Sequence, residues 1–149
     1  MQLQPIGCIH TPYKKSGEAP KQGRYSRENC IIEILPPYIP GLKDITEASH
    51  LIVLYWCDRA DREKLQTKTP YSDAIRGVFA CRSPSRPNPI AFCIVELLAV
   101  DGNKLSVRGL DALDGSPLLD IKPYSPNIDA LPNAKLKWLQ DSLPAGGNQ

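Results

Sequence analysis

Apolar positions along this chain come in short runs cut by Pro, Gly and charged residues, and few of them recur at helical spacing. Residues 6–10 read as a first strand, stopped by Thr11-Pro12-Tyr13, and residues 30–35 as a second, ended by Pro36-Pro37. Residues 51–57 are apolar at every position, which predicts a strand buried on both faces and central to a closed sheet. Two more runs, 78–81 and 90–98, are rich in β-branched residues and read as strands. The second continues to Val100, where Asp101-Gly102-Asn103 signals a hairpin into Lys104–Arg108, whose alternation predicts a half-exposed strand. Residues 118–124 form the last predicted strand, with Asp120 and Lys122 two apart and so on one face.

Helical signals are few. Residues 42–48 suit a short helix after Pro40-Gly41, with Asp44 and Glu47 at capping-box spacing. The polar stretch 59–72 carries Asp61, Arg62, Glu63 and Lys64 at helix-compatible spacing, without a catalytic pattern. Residues 133–141 read as a capped terminal helix with Leu136 and Leu139 on one side, and the Gly-rich last eight residues are expected to fray. The pattern predicts an all-β protein, a small antiparallel β-barrel with short peripheral helices. The barrel takes residues 1–130, and residues 131–149 form a C-terminal helix and frayed tail. Alternating strands and helices with a glycine-rich first turn, the mark of a Rossmann enzyme, are not present.

Composition narrows the compartment more than the partner. The 149 residues fit one domain, and no run of 18 apolar residues predicts a membrane span. Met1-Gln2-Leu3-Gln4-Pro5 does not read as a signal peptide. Five cysteines, at 8, 30, 57, 81 and 93, are odd in number and contain no C-x-x-C pair. They argue against a disulfide framework or a metal site and favour a reducing, cytoplasmic location. A net charge of +2 does not by itself argue for nucleic acid, although Lys14, Lys15, Lys21, Arg24 and Arg27 cluster early.

Candidate chemistry gathers in two loops. Residues 14–29 show no periodicity, and sixteen residues without structure are long for a compact domain. Between the runs at 78–81 and 90–98 lie Arg82, Arg86 and Asn88 among three prolines, Pro84, Pro87 and Pro89. Each proline fixes its own φ and biases its predecessor towards extended backbone, so this loop is stiff without a ladder. It presents two guanidinium groups and a carboxamide, suited to an anionic or polar ligand.

The run Cys81-Arg82-Ser83-Pro84-Ser85-Arg86-Pro87-Asn88-Pro89-Ile90 resembles the T-R-S-P-x-R-P-N-P-I signature of the TsaA-like, or TrmO-like, proteins. Further matches follow the family's order. Ala19-Pro20-Lys21-Gln22 resembles A-P-R-Q, Ser49-His50 matches an S-H pair, Leu113-Asp114-Gly115-Ser116-Pro117 resembles L-D-G-T-P, and residues 120–124 match D-I-K-P-Y. The resemblance implies a β-barrel methyltransferase that uses S-adenosylmethionine (SAM), and a homodimer. It places cofactor contacts at Pro20, Lys21, Gln22, Asp58, Arg59, Arg82, Phe92, Leu113, Asp114, Gly115, Ser116 and Pro117. The acceptor it implies is threonylcarbamoyl-adenosine beside the anticodon of tRNA. The sequence departs from the pattern at Lys21 for Arg, Asp58 for His, Cys81 for Thr, Ala91 for Gly, Phe92 for a smaller aliphatic residue and Ser116 for Thr.

By residue type, Arg86, Asn88, Lys122 and Tyr124 are candidates for the acceptor. Asp120, Tyr124 and Lys122 are candidates for a catalytic role, with Asp120 or Tyr124 complementing a sulfonium. No general base is singled out. Two other methyl acceptors stay open, a small molecule and another modified nucleotide. So does an RNA-binding barrel without chemistry. A thiol hydrolase using Cys81 and His50 has residue types but no third orienting group. Bacterial tRNA enzymes of the family carry a further C-terminal domain that helps hold the tRNA, and this sequence ends soon after its barrel.

Overall fold

The protein is described here by a computed structural model, which covers residues 1–140. Eight strands run in chain order: β1 (Gly7–His10), β2 (Asn29–Ile34), β3 (His50–Trp56), β4 (Gln66–Thr69), β5 (Ser72–Gly77), β6 (Ile90–Asp101), β7 (Lys104–Arg108) and β8 (Pro117–Pro123). Six of them close a barrel in the order β1-β2-β7-β6-β3-β8, and β8 returns to β1 through Gly7 opposite Leu118 and Cys8 opposite Pro117. Every pairing is antiparallel, so closure leaves the barrel no free edge.

Alternation decides what fills the barrel. Ile9, Cys30, Ile32, Ile34, Leu51, Val53, Tyr55, Cys93, Val95, Leu105, Val107 and Leu118 point inward and are buried. Leu110 and Ala112, on the segment between β7 and β8, complete that cluster. The β6–β7 hairpin turns at Gly102, whose φ of 59° suits glycine, and Asn103 donates its side-chain amide to the Ile34 carbonyl at 2.8 Å.

Several local expectations are corrected. β3 is central, between β6 and β8, yet it alternates: Ile52, Leu54 and Trp56 are half-buried on the outer face. Residues 78–81 form no strand; Val78–Ala80 is a 3-10 turn. Val78 is buried there while Phe79 is 81% exposed, and the Val78 and Cys81 carbonyls are taken by the Arg86 side chain instead of a ladder. Within 59–72 there is no helix: β4 enters a two-stranded sheet with β5, outside the barrel. In place of a helix at 42–48, 3-10 turns occupy Pro36–Leu42 and Ile45–Glu47, and Asp44 has φ 65° with no side-chain cap. Proline at 37 and 40 removes the amides a longer α-helix would use.

After β8 the chain makes one helical turn at Pro126–Asp129 (α1), which sequence patterning did not predict, and another at Lys137–Gln140 (α2). The terminal helix expected over 133–141 begins only at Lys137 among the described residues, because residues 133–136 are turn and coil; the expected frayed tail lies outside the described residues. The Trp138 indole N–H donates to the Ala80 carbonyl at 3.0 Å and its ring lies under Arg76, so α2 docks beside the turn that leads into the proline loop.

Candidate functional site

The antiparallel order sends the loops after β1, after β3, before β6 and before β8 to the same end of the barrel. Backbone bonds tie them together. Gly115 N–H donates to Ile9 O, Asp114 N–H to Tyr13 O, and Cys57 N–H to Pro89 O. Arg59 then spans two loops, donating to Lys14 O and to Asp114 O at 3.0 Å each. Asp114 accepts the Thr11 N–H at 2.9 Å and the Lys14 ammonium at 2.7 Å, and the Thr11 hydroxyl donates to Ala112 O. Lys14, and after it Thr11, holds the Asp114 carboxyl below the ordinary carboxylate value. Of the residues in 113–117, Ser116 is buried and donates to Leu113 O, whereas Gly115 is exposed with open space around it. Leu113 and Pro117 are half-buried, and Asp58 is exposed.

The proline loop is held from both sides. Arg86, a candidate for the acceptor, points back into its own loop and donates to the carbonyls of Val78, Cys81 and Ser83 at 2.6 to 3.3 Å. Arg62 donates to Pro87 O and lies over the Trp56 ring. Asn88 is exposed, and its carbonyl accepts the Ile90 N–H. Arg82 stays at the surface, its guanidinium over the Phe92 ring at 5.1 Å and 3.4 Å from the Phe92 carbonyl. Cys81 is buried with its thiol directed at Gly77 O and Val78 O. His50 opens β3 at the far end of the barrel, bonded to Ser49, so the structure does not bring it to Cys81. Roughly 20 Å of strand separates the two ends of β3.

Beneath these loops lies a residue that the sequence alone did not single out. Asp111 accepts hydrogen bonds from the Tyr55 hydroxyl and the Cys93 thiol at one oxygen, at 2.5 and 2.8 Å. Burial, followed by the Asp111 charge, pushes both donors far above their ordinary values. Burial also pushes the Cys57 thiol up to about 11, so none of these groups is a thiolate nucleophile. Gly23 packs against the same place: a Cβ there would overlap the Gly109 carbonyl and press on the Cys93 sulfur. That approach seats Pro20, Lys21 and Gln22 beside the barrel mouth, with Pro20 and Gln22 half-buried and Lys21 exposed. From the β4–β5 hairpin comes Tyr71, whose hydroxyl is out of solvent, near the Gln22 side chain and without a well-formed hydrogen bond among the described residues. Burial raises it, while the nearby Gln22 side chain lowers it and Tyr25 and Asp111 raise it further. An Asp preceding a motif by two residues was the only available signal for Asp111; for Tyr71 there was none.

The β8 candidates are placed differently. Asp120 lies across β3 from Phe92, both opposite Leu54 on the outer face, and it bonds Lys122 at 2.8 Å. Tyr124 donates its N–H to His50 O, and with Asp120 it lines a cleft of about 730 Å³ under residues 36–48, away from the loops just described. Within one chain, Lys122 and Tyr124 are therefore not gathered with Arg82. Among the described residues no cluster of three metal-ligating side chains occurs, and no helix is long and apolar enough to cross a membrane.

A family model described as tRNA-methyltransferase O N-terminal domain matches residues 8–130. The chain belongs to that family. A probable S-adenosyl-L-methionine-binding protein of Archaeoglobus fulgidus is 54% identical over 144 residues, 97% of this chain and 39% of that protein. A second protein of the same organism, described as an S-adenosyl-L-methionine-binding protein, is 53% identical over 131 residues, 88% of this chain and 94% of its own length. The crystal structure of TrmO from Pseudomonas aeruginosa superposes with a TM-score of 0.77 at 31% identity, over 92% of this chain and 62% of that one. The chain thus spans less than two thirds of two of these relatives, 39% and 62%, and nearly all of the third. The barrel expected from the pattern is the barrel of this family.

Proposed function

We propose that this chain is a SAM-dependent methyltransferase whose cofactor lies across the loop cluster at the barrel mouth. The observation that carries the reading is the convergence of 20–22, 58–59, 82, 92 and 113–117 on one end of the barrel, in a family with relatives described as SAM-binding. The groups there suit such a ligand. Arg82 and Lys21 are exposed cations for a carboxylate, Phe92 offers a ring face, and the Tyr71 hydroxyl lacks a well-formed hydrogen bond among the described residues. Gly115 leaves room for a ligand to approach the backbone.

SAM supplies a methyl group on a cationic sulfur, so the protein has little covalent work to do. Its loops align donor and acceptor and exclude water. Arg59 and the Lys14–Asp114 pair hold the 113–117 loop, and Arg86 and Arg62 hold the proline loop. The candidate roles of Asp120, Lys122 and Tyr124 then call for a second subunit. A homodimer has a surface to use: Ile90, Phe92 and Ile94 form an exposed apolar row on the outer face of β6, beside Ile52 and Leu54 of β3.

The acceptor is threonylcarbamoyl-adenosine of tRNA, methylated on nitrogen. Lys15, Lys21, Arg27 and Arg82 are exposed and suit flanking phosphates; Lys14 and Arg86 are engaged within the chain. A small-molecule acceptor is the second reading. In its favour is a relative of nearly this length described only as SAM-binding. Incubation with labelled SAM and total tRNA, followed by digestion to nucleosides, decides between them. Label in N-methylated threonylcarbamoyl-adenosine is expected. Proven SAM binding with no label in tRNA would turn the assignment to a small molecule.

A further inference from the structure

Asp58, Asp111, Asp114 and Asp120 are the carboxylates that come into question as partners for a cationic ligand, and three of them are poor ones. Asp114 is bound to Lys14 at 2.7 Å and Asp120 to Lys122 at 2.8 Å. Asp58 is exposed to water, which screens it. The fourth is Asp111. It takes part in none of the salt bridges among the described residues, and both of its hydrogen-bond donors, Tyr55 and Cys93, are neutral and meet the same oxygen. Among the described residues no hydrogen bond reaches its other oxygen. The carboxylate is rooted in the core between Leu110 and Ala112, both buried, and is bonded to β3 and β6. It stands two residues before the 113–117 loop, and the Gly23 turn packs on its partner Cys93. Tyr71 and Cys57 on the surrounding loops both feel its charge.

We infer that Asp111 is the fixed counter-charge for the sulfonium of SAM, and that it sets the preference for SAM over the demethylated product. This rests on the cofactor position proposed above. A rigid carboxylate in a partly desolvated floor attracts a cation far more than water would, and it does so without reorganising. S-adenosylhomocysteine (SAH) is neutral at sulfur. Loss of the methyl group therefore removes the attraction, and the spent product leaves a site that holds the fresh donor. Asp120 and Tyr124, the candidates by residue type, are displaced from this role. Asp120 is already neutralised by Lys122, and Tyr124 faces a different cleft.

The test compares SAM and SAH by calorimetry on the full chain carrying Asp111→Asn, which keeps an acceptor oxygen for Tyr55 and Cys93 but removes the charge. SAM affinity should fall at least about tenfold while SAH affinity stays within about twofold. A purely structural Asp111 would instead weaken both ligands together, and that result, or no change in either, overturns the inference. Arg82→Ala separates this failure from failure of the cofactor position. Should Arg82→Ala weaken both ligands while Asp111→Asn changes neither, the position stands and the counter-charge falls. Should neither variant change binding, both fall. If Asp111→Asn does not fold, the unaltered protein still answers. Sinefungin, which carries an ammonium at the sulfonium position, should then bind at least as tightly as SAM, and SAH at least about tenfold more weakly. SAH binding as tightly as SAM would overturn the inference.

Discussion

The Arg86 guanidinium donates to the Val78 carbonyl at 2.6 Å, eight residues back along the chain. Two further carbonyls, of Cys81 and Ser83, complete the clamp. The proline loop is therefore held shut by its own arginine, and that arginine is not available to a ligand in the way its exposed neighbour Arg82 is.

Replacing Arg86 by Ala should accordingly cost stability. Charged hydrogen bonds to partly buried carbonyls are worth roughly 1.5–3 kcal/mol, so a loss of about 2–3 kcal/mol in urea unfolding is expected. Arg86→Lys should recover only part of it, because an ammonium cannot reproduce the planar fork. An Arg86→Ala protein of full stability with impaired acceptor binding would return Arg86 to the role its residue type first suggested.

Asp114 and Lys14 join the loop after β1 to the loop before β8. The folded pKa of Asp114 is depressed, chiefly by Lys14 and next by the Thr11 N–H. The contact therefore stabilises fully above the ordinary value of 3.8 and fades as pH falls through the lower folded value. The pair is partly exposed, so Lys14→Met should cost no more than about 1 kcal/mol at neutral pH. Acid titration followed by circular dichroism should show the variant unfolding at higher pH than the parent. Coincident acid limbs would mean that Lys14 contributes nothing to holding the loop.

How much of this was legible in the sequence depended on how local the cause was. The barrel was readable because the short apolar run 30–35 ended by prolines, the alternation in residues 104–108 and the Asp101-Gly102-Asn103 turn are local signals. Residues 51–57 misled, since an apolar run does not say which face meets the core and which meets a neighbouring surface. Residues 78–81 misled for another reason: their carbonyls were claimed by Arg86, and a side chain competing with a ladder leaves no trace in hydrophobic pattern. The loop residues of the site came from motif resemblance. Asp111 was invisible because its partners, Tyr55 and Cys93, are 56 and 18 residues away and both look like ordinary core.

Cys81 should tolerate the residue the family more often carries. Its buried thiol points at the Gly77 and Val78 carbonyls at 3.6 and 3.8 Å, and a threonine hydroxyl can donate in the same direction. Cys81→Thr is expected to keep SAM affinity and methyl transfer within about twofold, since removing a weak thiol donor costs little when another donor replaces it. Complete loss of transfer in a folded Cys81→Thr protein would point instead to thiol chemistry.

The exposed row of Ile90, Phe92 and Ile94 gives the dimer its test. Each is about 40% exposed, and the row runs along β6 next to the half-buried Ile52 and Leu54 of β3. A closed barrel needs only its inward positions to fold, so these outward side chains are not explained by the core. A two-fold contact would cover them and bring a partner's residues beside the Phe92–Arg82 pair. A stable interface needs at least about 1,200 Å² in total, more than one three-residue row supplies, so β3 and the neighbouring loops must take part. Ile94→Lys leaves the loop cluster untouched and sets a charge in the middle of the row. Light scattering at micromolar concentration should find the parent as a dimer and Ile94→Lys as a folded monomer. The monomer should lose methyl transfer more than SAM binding, because the cofactor loops belong to one chain while Asp120, Lys122 and Tyr124 would come from the other. A parent protein that is monomeric and fully active would dispose of the dimer and, with it, of any role for those three residues at the methyl group.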